Sequence, residues 1–268
     1  MEGAVCVINF SRRLDLKRKI NKGEPTVGLF IKIPCAHVVE MLEPAGIDFV
    51  VLDAEHASFS TETIDKCIMA GKCAGIEVLV RVRSLQSSEI QSVLDMGAAG
   101  IVVPHITCED DVINAVASAR YFDGKRGFST SHRAAGFGSM SMDSFRDLSD
   151  RSVIVIGQIE DTDALLSIDK ILSASRLDAL FIGPIDLSIS LGVTDPSHHL
   201  VETSIEKICE VCREADHRLG IFVATPESVQ KHLSEGISLF FVGTDQTLLS
   251  HAANDMVEKF RRQVGCNP

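Results

Sequence analysis

Eight short apolar runs, separated by stretches of helical spacing, restrict this chain more than any other feature. They are Val27–Ile33, Ile47–Leu52, Val78–Val82, Ile101–Val103, Val153–Ile156, Ala179–Ile182, Leu219–Val223 and Leu239–Val242. Runs this short and this continuous suit strands covered on both faces, as in a parallel sheet. Between them, Thr61–Ala74, Glu89–Met96, Asp110–Tyr121 and Val201–Ala215 carry apolar residues at helical intervals. Eight strands alternating with helices predict an α/β fold, a single (β/α)8 TIM barrel across residues 1–268. A doubly wound sheet is the competitor, but no G-x-G-x-x-G follows the first strand. Glycines at Ala45-Gly46, Ala74-Gly75, Met96-Gly97, Leu219-Gly220 and Glu235-Gly236 read as helix C-caps leading into strands.

The ends of the chain are read separately. Residues 1–24 place Arg12, Arg13, Lys17, Arg18 and Lys19 beside Leu14, Leu16 and Ile20. An amphipathic helix closing the barrel bottom is expected there, with its charges on a solvated face. Residues from about 247 to 268 form a C-terminal helix, a candidate for packing on a neighbouring subunit. The longest interruption, Phe122–Asp150, holds Gly124, Gly127, Gly136 and Gly138 with Arg126, His132 and Arg133. A loop of that length is usually functional, and the pattern leaves its face open.

Composition removes several function classes. The net charge is −11 with no block of Lys/Arg, which argues against nucleic acid or an anionic membrane as partner. No apolar run approaches the length of a bilayer span and no signal-like segment opens the chain, so a cytoplasmic protein is expected. The eight cysteines form no disulfide framework. Cys209 and Cys212 make a C-x-x-C without a second ligand pair, and free thiols on a helix are the favoured reading.

Chemistry in such a barrel gathers at the C-terminal ends of the strands. Strand two runs into Asp53-Ala54-Glu55-His56, strand three carries Arg81 and Arg83, and strand four ends at Pro104-His105. Strand five ends in Gln158-Ile159-Glu160 and strand six in Gly183-Pro184-Ile185-Asp186. Glu160 and Asp186 offer oxygen ligands to one divalent cation, of the kind that suits Mg²⁺ or Mn²⁺. The Gly183-Pro184 turn would let the Ile185 and Asp186 N–H groups approach an anion. The ordinary alternatives are an Asp186 that caps a helix and an Arg81 that pairs with Asp53. Arg83 shares the alternating side of Arg81, so the pattern does not separate them. His56 is the favoured general base and His105 its rival. Lys32 is the one lysine placed to form a Schiff base, and nothing around it points to that route. The set predicts a metal-dependent lyase acting on small keto acids. The competing reading is a barrel kept as a binding scaffold.

The same stretches carry a resemblance. Gly46-Ile47-Asp48-Phe49-Val50-Val51-Leu52-Asp53-Ala54-Glu55-His56, Val80-Arg81-Val82, Leu94-Asp95-Met96-Gly97-Ala98-Ala99-Gly100-Ile101, Val103-Pro104, Gly124-Lys125-Arg126-Gly127, Gln158-Ile159-Glu160 and Phe181-Ile182-Gly183-Pro184-Ile185-Asp186-Leu187-Ser188 occur in the order found in one family. The chain resembles the HpcH/HpaI family of class II pyruvate aldolases, whose members act on 4-hydroxy-2-oxoheptanedioate and on 2-keto-3-deoxy sugar acids. The resemblance implies a barrel of the phosphoenolpyruvate/pyruvate-superfamily type. It also implies a divalent ion (Mg²⁺, Mn²⁺ or Co²⁺) and a homohexamer built as a trimer of dimers. On its terms His56 is the base, Arg81 stabilises an enolate, and Glu160 and Asp186 hold the metal. Gln158, Gly183, Pro184, Ile185 and Asp186 bind the pyruvyl part of a 2-oxo acid, with an aldehyde as the other partner. Asp95 raises the basicity of the histidine, from an adjacent subunit, because it precedes strand four. Oxaloacetate decarboxylation, with or without later bond formation, is the second reaction the resemblance allows. Ala57, Arg83 and Phe30 depart from the usual pattern of glycine, proline and tryptophan. These departures leave the aldehyde half open, with Arg83, His105 and the 122–150 segment as candidates to recognise an unusual acceptor or one carrying an acid group.

Overall fold

In a computed structural model that describes residues 10–174 and 176–265, the apolar runs pair as a closed, all-parallel barrel in sequence order. The strands are β1 (Thr26–Ile31), β2 (Phe49–Asp53), β3 (Glu77–Arg81), β4 (Gly100–Val103), β5 (Ile154–Ile159), β6 (Ala179–Ile182), β7 (Leu219–Val223) and β8 (Leu239–Thr244). The helices are α1 (Phe10–Lys22), α2 (Ala36–Glu40), α3 (Thr61–Ala74), α4 (Ser87–Met96), α5 (Glu109–Ala119), α6 (Met142–Ser152), α7 (Thr162–Ser173), α8 (Pro184–Ser190), α9 (His199–Glu214), α10 (Val229–Ser234) and α11 (Asp245–Gln263). The predicted fold class is therefore the observed one.

Alternation along each strand divides the apolar residues between two layers. Leu29, Val50, Leu52, Val80, Ile101, Val155 and Leu180 face outward and pack under the helices. Phe30, Phe49, Val51, Leu79, Val102, Ile156, Phe181 and Phe241 fill the interior. Gly28 makes room for that filling, since a Cβ there would lie 2.2 Å from the Phe49 ring. Gly75 and Gly97 are the expected left-handed C-caps, at φ 73° and 105°. Gly220 is not a cap. It lies within β7, where a Cβ would meet the Leu239 carbonyl at 2.9 Å.

Helix α1 closes the bottom of the barrel as expected, with Leu16 and Ile20 joining the interior cluster. Its charges depart from the expectation of a solvated face. Arg13 is buried and donates to the Gly97 carbonyl at 2.7 Å, and Lys17 pairs with Asp178 at 3.0 Å. Burial lowers the pKa of both cations, and the partner carboxylates oppose that shift only in part.

The 122–150 segment also resolves. It follows α5 and leads through a short 3₁₀ stretch, Arg133–Gly138, into α6 and then β5. It therefore lies at the N-terminal face, opposite the mouth. The N-terminal preface is described from residue 10 and the C-terminal helix to residue 265; the parts of both expected helices at residues 1–9 and 266–268 lie outside the described residues.

Candidate active site

Register brings the first polar pair together. Asp53 and Arg81 are the last residues of β2 and β3 and are aligned partners in the ladder. Arg81 Nε and Nη2 donate to the two Asp53 carboxylate oxygens at 3.0 and 2.9 Å. Arg81 Nη1 points to Gln158 Oε1 at 3.4 Å, and the guanidinium lies 4.9 Å from the Phe30 ring centre. Burial alone would raise the Asp53 pKa, but the bonds from Arg81 outweigh it and hold the group below the ordinary carboxylate range. Asp53 also accepts the His56 N–H at 3.1 Å, which fixes where the chain leaves β2. Arg83 falls beyond the end of β3. It bonds the Phe59 carbonyl and pairs with Glu89 at 3.5 Å, so strand length separates the two arginines.

Glu55 lies among three basic side chains. Its carboxylate is 3.3 Å from Arg81 Nε, 3.7 Å from His56 Nε2 and 3.5 Å from His105 Nε2. Glu55 Oε2 is buried without a hydrogen bond. His56 itself is half exposed at the mouth.

Glu160 directly follows β5 and is 2% exposed. Gln158 Nε2 donates to its Oε2, and the His105 N–H donates to its Oε1 at 3.0 Å. His105 gives that N–H from a left-handed backbone conformation, φ 54°. No Lys or Arg side chain pairs with Glu160 among the described residues. Burial pushes its pKa up to about 7; the His105 contacts oppose this, and the nearby Asp186 charge adds to it. Gly183 lies close above this carboxylate, where a Cβ would sit 3.2 Å from Glu160 Oε2 and 3.0 Å from Gln158 Nε2, tighter than ordinary contact. Gly183 and Pro184 then open α8 with proline at N1, and Asp186 stands in the first helical turn.

A cavity of about 370 Å³ opens at this end of the barrel. It brings together His56, Arg81, Gln158, Gly183, Pro184, Ile185 and Asp186, with Glu160 beneath Gly183. Its wall also includes Lys32, Phe222, Thr244, Gln246 and Thr247. The β7 and β8 contributions do not stand out in the sequence, because no charged residue among them marks the ends of those apolar runs. A threonine N-cap opening a final helix was the available signal. Asp95 is not at this mouth. It lies near the C-terminus of α4, accepts from Arg126 at 2.7 Å and lies 3.5 Å from His132.

The donor set fits a divalent cation: Glu160 is a sealed carboxylate with no Lys or Arg partner among the described residues and the His105 ring at 3.4 Å, and Asp186 is a second carboxylate nearby. Among the described residues, one trio of possible ligands falls within 4.8 Å, namely His105, Glu160 and Asp161. It shares Glu160 with the expected pair and does not contain Asp186. His105 and Asp161 are joined at 2.9 Å. Desolvation lowers the His105 pKa, but Asp161, Glu160 and Glu55 together raise it above its ordinary value.

The fold and mouth define the class, a parallel (β/α)8 barrel with a polar, carboxylate-bearing C-terminal cavity. Residues 26–252 match the family described as HpcH/HpaI aldolase/citrate lyase, and the chain belongs to that family, among carbon–carbon lyases. It is 31% identical over 252 residues to 2-keto-3-deoxy-L-rhamnonate aldolase of Shigella dysenteriae serotype 1 (strain Sd197), covering 91% of this chain and 92% of that protein. It is 29% identical over 250 residues to 4-hydroxy-2-oxo-heptane-1,7-dioate aldolase of Escherichia coli (strain ATCC 8739), covering 92% and 95%. A crystal structure of an HpcH/HpaI aldolase/citrate lyase family protein from Burkholderia cenocepacia J2315 superimposes with a TM-score of 0.88 at 28% identity, covering 92% of this chain and 99% of that one. No described helix is long and apolar enough to cross a membrane.

Proposed function

We propose that the chain is a divalent-metal-dependent aldolase that cleaves or forms a 4-hydroxy-2-oxo acid, with pyruvate and an aldehyde as the other side of the reaction. The observation that carries this reading is Glu160, buried with no Lys or Arg partner among the described residues, beside Gln158 and the Arg81–Asp53 pair at one barrel mouth. Mg²⁺, Mn²⁺ or Co²⁺ held by Glu160 and Asp186 would act as a Lewis acid on the carboxylate and keto oxygens of the 2-oxo acid. Arg81, fixed by two bonds to Asp53, presents its remaining guanidinium edge where negative charge develops on the keto oxygen. Gln158 and the backbone at Ile185 hold the pyruvyl portion. His56, tied by its N–H to Asp53 and flanked by Glu55, takes the proton from the C4 hydroxyl, and the C3–C4 bond then breaks. The names of the two aldolase relatives support this substrate class.

Asp95 enters the reading from a second copy. It stands at the barrel end opposite its own mouth, so support for His56 requires a neighbouring subunit, as in the proposed hexamer. The exposed stripe of Leu249, Met256 and Phe260 on α11 favours such an assembly.

Proton NMR of pyruvate in D₂O tests the reaction without knowledge of the aldehyde. The methyl signal should decay with added Mg²⁺, Mn²⁺ or Co²⁺ and persist with EDTA. His56→Ala should slow the decay while metal affinity is kept, and Glu160→Ala should lose the metal. Exchange that survives EDTA, together with borohydride trapping of pyruvate on Lys32, would overturn the reading.

A further inference from the structure

Buried polar atoms without a hydrogen bond gather around Asp95, at the end of the barrel away from the cavity. Among the described residues they include Tyr121 Oη, Arg126 Nε and His132 Nε2. The Arg126 guanidinium lies 4.6 Å from the Tyr121 ring centre, and its Nη1 donates to the Ser149 hydroxyl at 3.1 Å. Its Nη2 donates to Asp95 Oδ1 at 2.7 Å. One contact to one oxygen leaves a carboxylate free to turn about that bond. Asp95 Oδ2 accepts no hydrogen bond from the described residues, and the side chain is 21% exposed.

The second group at Oδ1 is His132, whose Nε2 lies 3.5 Å away. Its Nδ1 accepts the Ala135 N–H at 3.2 Å and caps the 3₁₀ stretch Arg133–Gly138. A ring nitrogen that accepts carries no proton, so the proton of the neutral ring is on Nε2. Burial lowers the His132 pKa; the Asp95 charge opposes this and the Arg126 charge adds to it. The neutral ring with Nε2–H is thus the resting form. Phe145 packs edge-on to it at 5.3 Å between ring centres, which limits its rotation. A cap needs one acceptor, and serine or asparagine would supply that without burying a second polar atom. Asp95 is the acceptor beside Nε2, at a separation that a small turn of the carboxylate closes.

We propose that His132 is a positioning residue: its Nε2–H and the Arg126 guanidinium together hold Asp95 Oδ1, so that Oδ2 is presented in a fixed direction to the His56 of a neighbouring copy. The proposal rests on the aldolase reading above and on the second-copy role it gives Asp95. It goes further by naming the side chain that aims the aspartate. His132 touches no reacting atom and acts through Asp95 alone. The two ring nitrogens then have separate tasks: Nδ1 shapes the 122–150 segment, and Nε2 turns that segment into a support for the neighbour's mouth.

Two substitutions separate those tasks. His132→Asn keeps an acceptor where Nδ1 stood and loses the donor to Asp95, whereas His132→Gln places an amide N–H where Nε2 stood and gives up the cap. The quantity read is the pH profile of pyruvate methyl exchange in D₂O with the Mg²⁺-loaded protein. His132→Asn should lower kcat roughly 10-fold, the value of a hydrogen bond to a charged group, with the pyruvate KM unchanged. The acid limb of its profile should move to lower pH, because a carboxylate that wanders stabilises the protonated base less. His132→Gln should retain most of the native rate and the native profile. His132→Ser, which also keeps an acceptor for the cap, serves where circular dichroism shows that the asparagine variant does not fold. A native-like asparagine variant beside an impaired glutamine variant would make the histidine a cap only and overturn the proposal, as would an equal loss at every pH in both. Absence of methyl exchange in the native protein removes this proposal and the aldolase reading together. Exchange that Asp95→Asn leaves unaltered removes the second-copy role and this proposal but keeps the aldolase reading. Loss in Asp95→Asn without loss in His132→Asn removes this one alone.

Discussion

Arg81 and Glu160 show opposite answers to the same cost, a charge taken out of water. Arg81 is paid back by a bidentate carboxylate, whereas Glu160 has an amide, a backbone N–H and the His105 ring at 3.4 Å. The sign of the consequence is fixed. The Glu160 pKa is raised from 4.5 to about 7, so between those values the folded, metal-free protein keeps a proton that the unfolded chain has lost. Stability from this group is present at low pH and fades as pH rises through about 7. Cation binding needs the carboxylate, so it must expel that proton. Metal affinity should be about tenfold weaker at pH 6 than at pH 8. Calorimetry at pH 6 in two buffers of different ionisation enthalpy should reveal close to one proton released per ion. Heats independent of buffer would show that Glu160 is not the ligand. Much of this was legible in the sequence, because strand-end carboxylates stand out against apolar runs. What the pattern did not supply was Glu55 at the junction of Arg81, His56 and His105, since that meeting depends on how the chain turns after β2.

Among the elements, α1 shows how far periodicity reaches. Leu16 and Ile20, spaced four apart, announced a buried stripe, and both do enter the barrel interior. The same spacing places Arg13 and Lys17 one turn apart beside that stripe, where the Gly97 carbonyl at the end of α4 and the Asp178 carboxylate take them up. Composition alone does not distinguish a charge facing water from one facing carbonyls. Removing the plug should be costly: Leu16→Ala should destabilise the fold by about 2–5 kcal/mol, read from the urea midpoint. A change within error would mean that α1 docks without bearing on the core. Helix α6 is the element the sequence concealed. Met142–Ser152 buries one large apolar side chain, Phe145, so its periodicity is weak, and a glycine-rich lead-in made the whole segment read as loop. The Ser141 cap was its one local signal. Strand limits shifted too: β5 extends to Ile159, which puts Gln158 in the ladder rather than after it.

The whole molecule is unbalanced at its C-terminal end. Helix α11 packs on β1 and β8 and, of its residues, only Asp245 is buried. Leu249, Met256 and Phe260 lie along one side of it at 64%, 65% and 65% exposure. A stripe of that kind on an otherwise well-packed barrel calls for a partner, and a second copy is the simplest one. The double substitution Leu249→Glu, Phe260→Glu should lower the mass measured by light scattering while circular dichroism stays that of a barrel. An unchanged mass would place the subunit interface elsewhere.

The position of Asp95 extends this to inheritance and mixing. Each barrel holds its polar mouth cavity at one pole and the aspartate, braced by Arg126 and His132, at the other. On the proposed arrangement, in which Asp95 of one copy supports His56 of the next, a chain crippled at His56 and a chain crippled at Asp95 would be inert alone, yet co-expressed they would rebuild some working centres from the healthy pole of each. Such complementation between two dead alleles is available only to an enzyme that assembles its chemistry from unlike ends of identical chains.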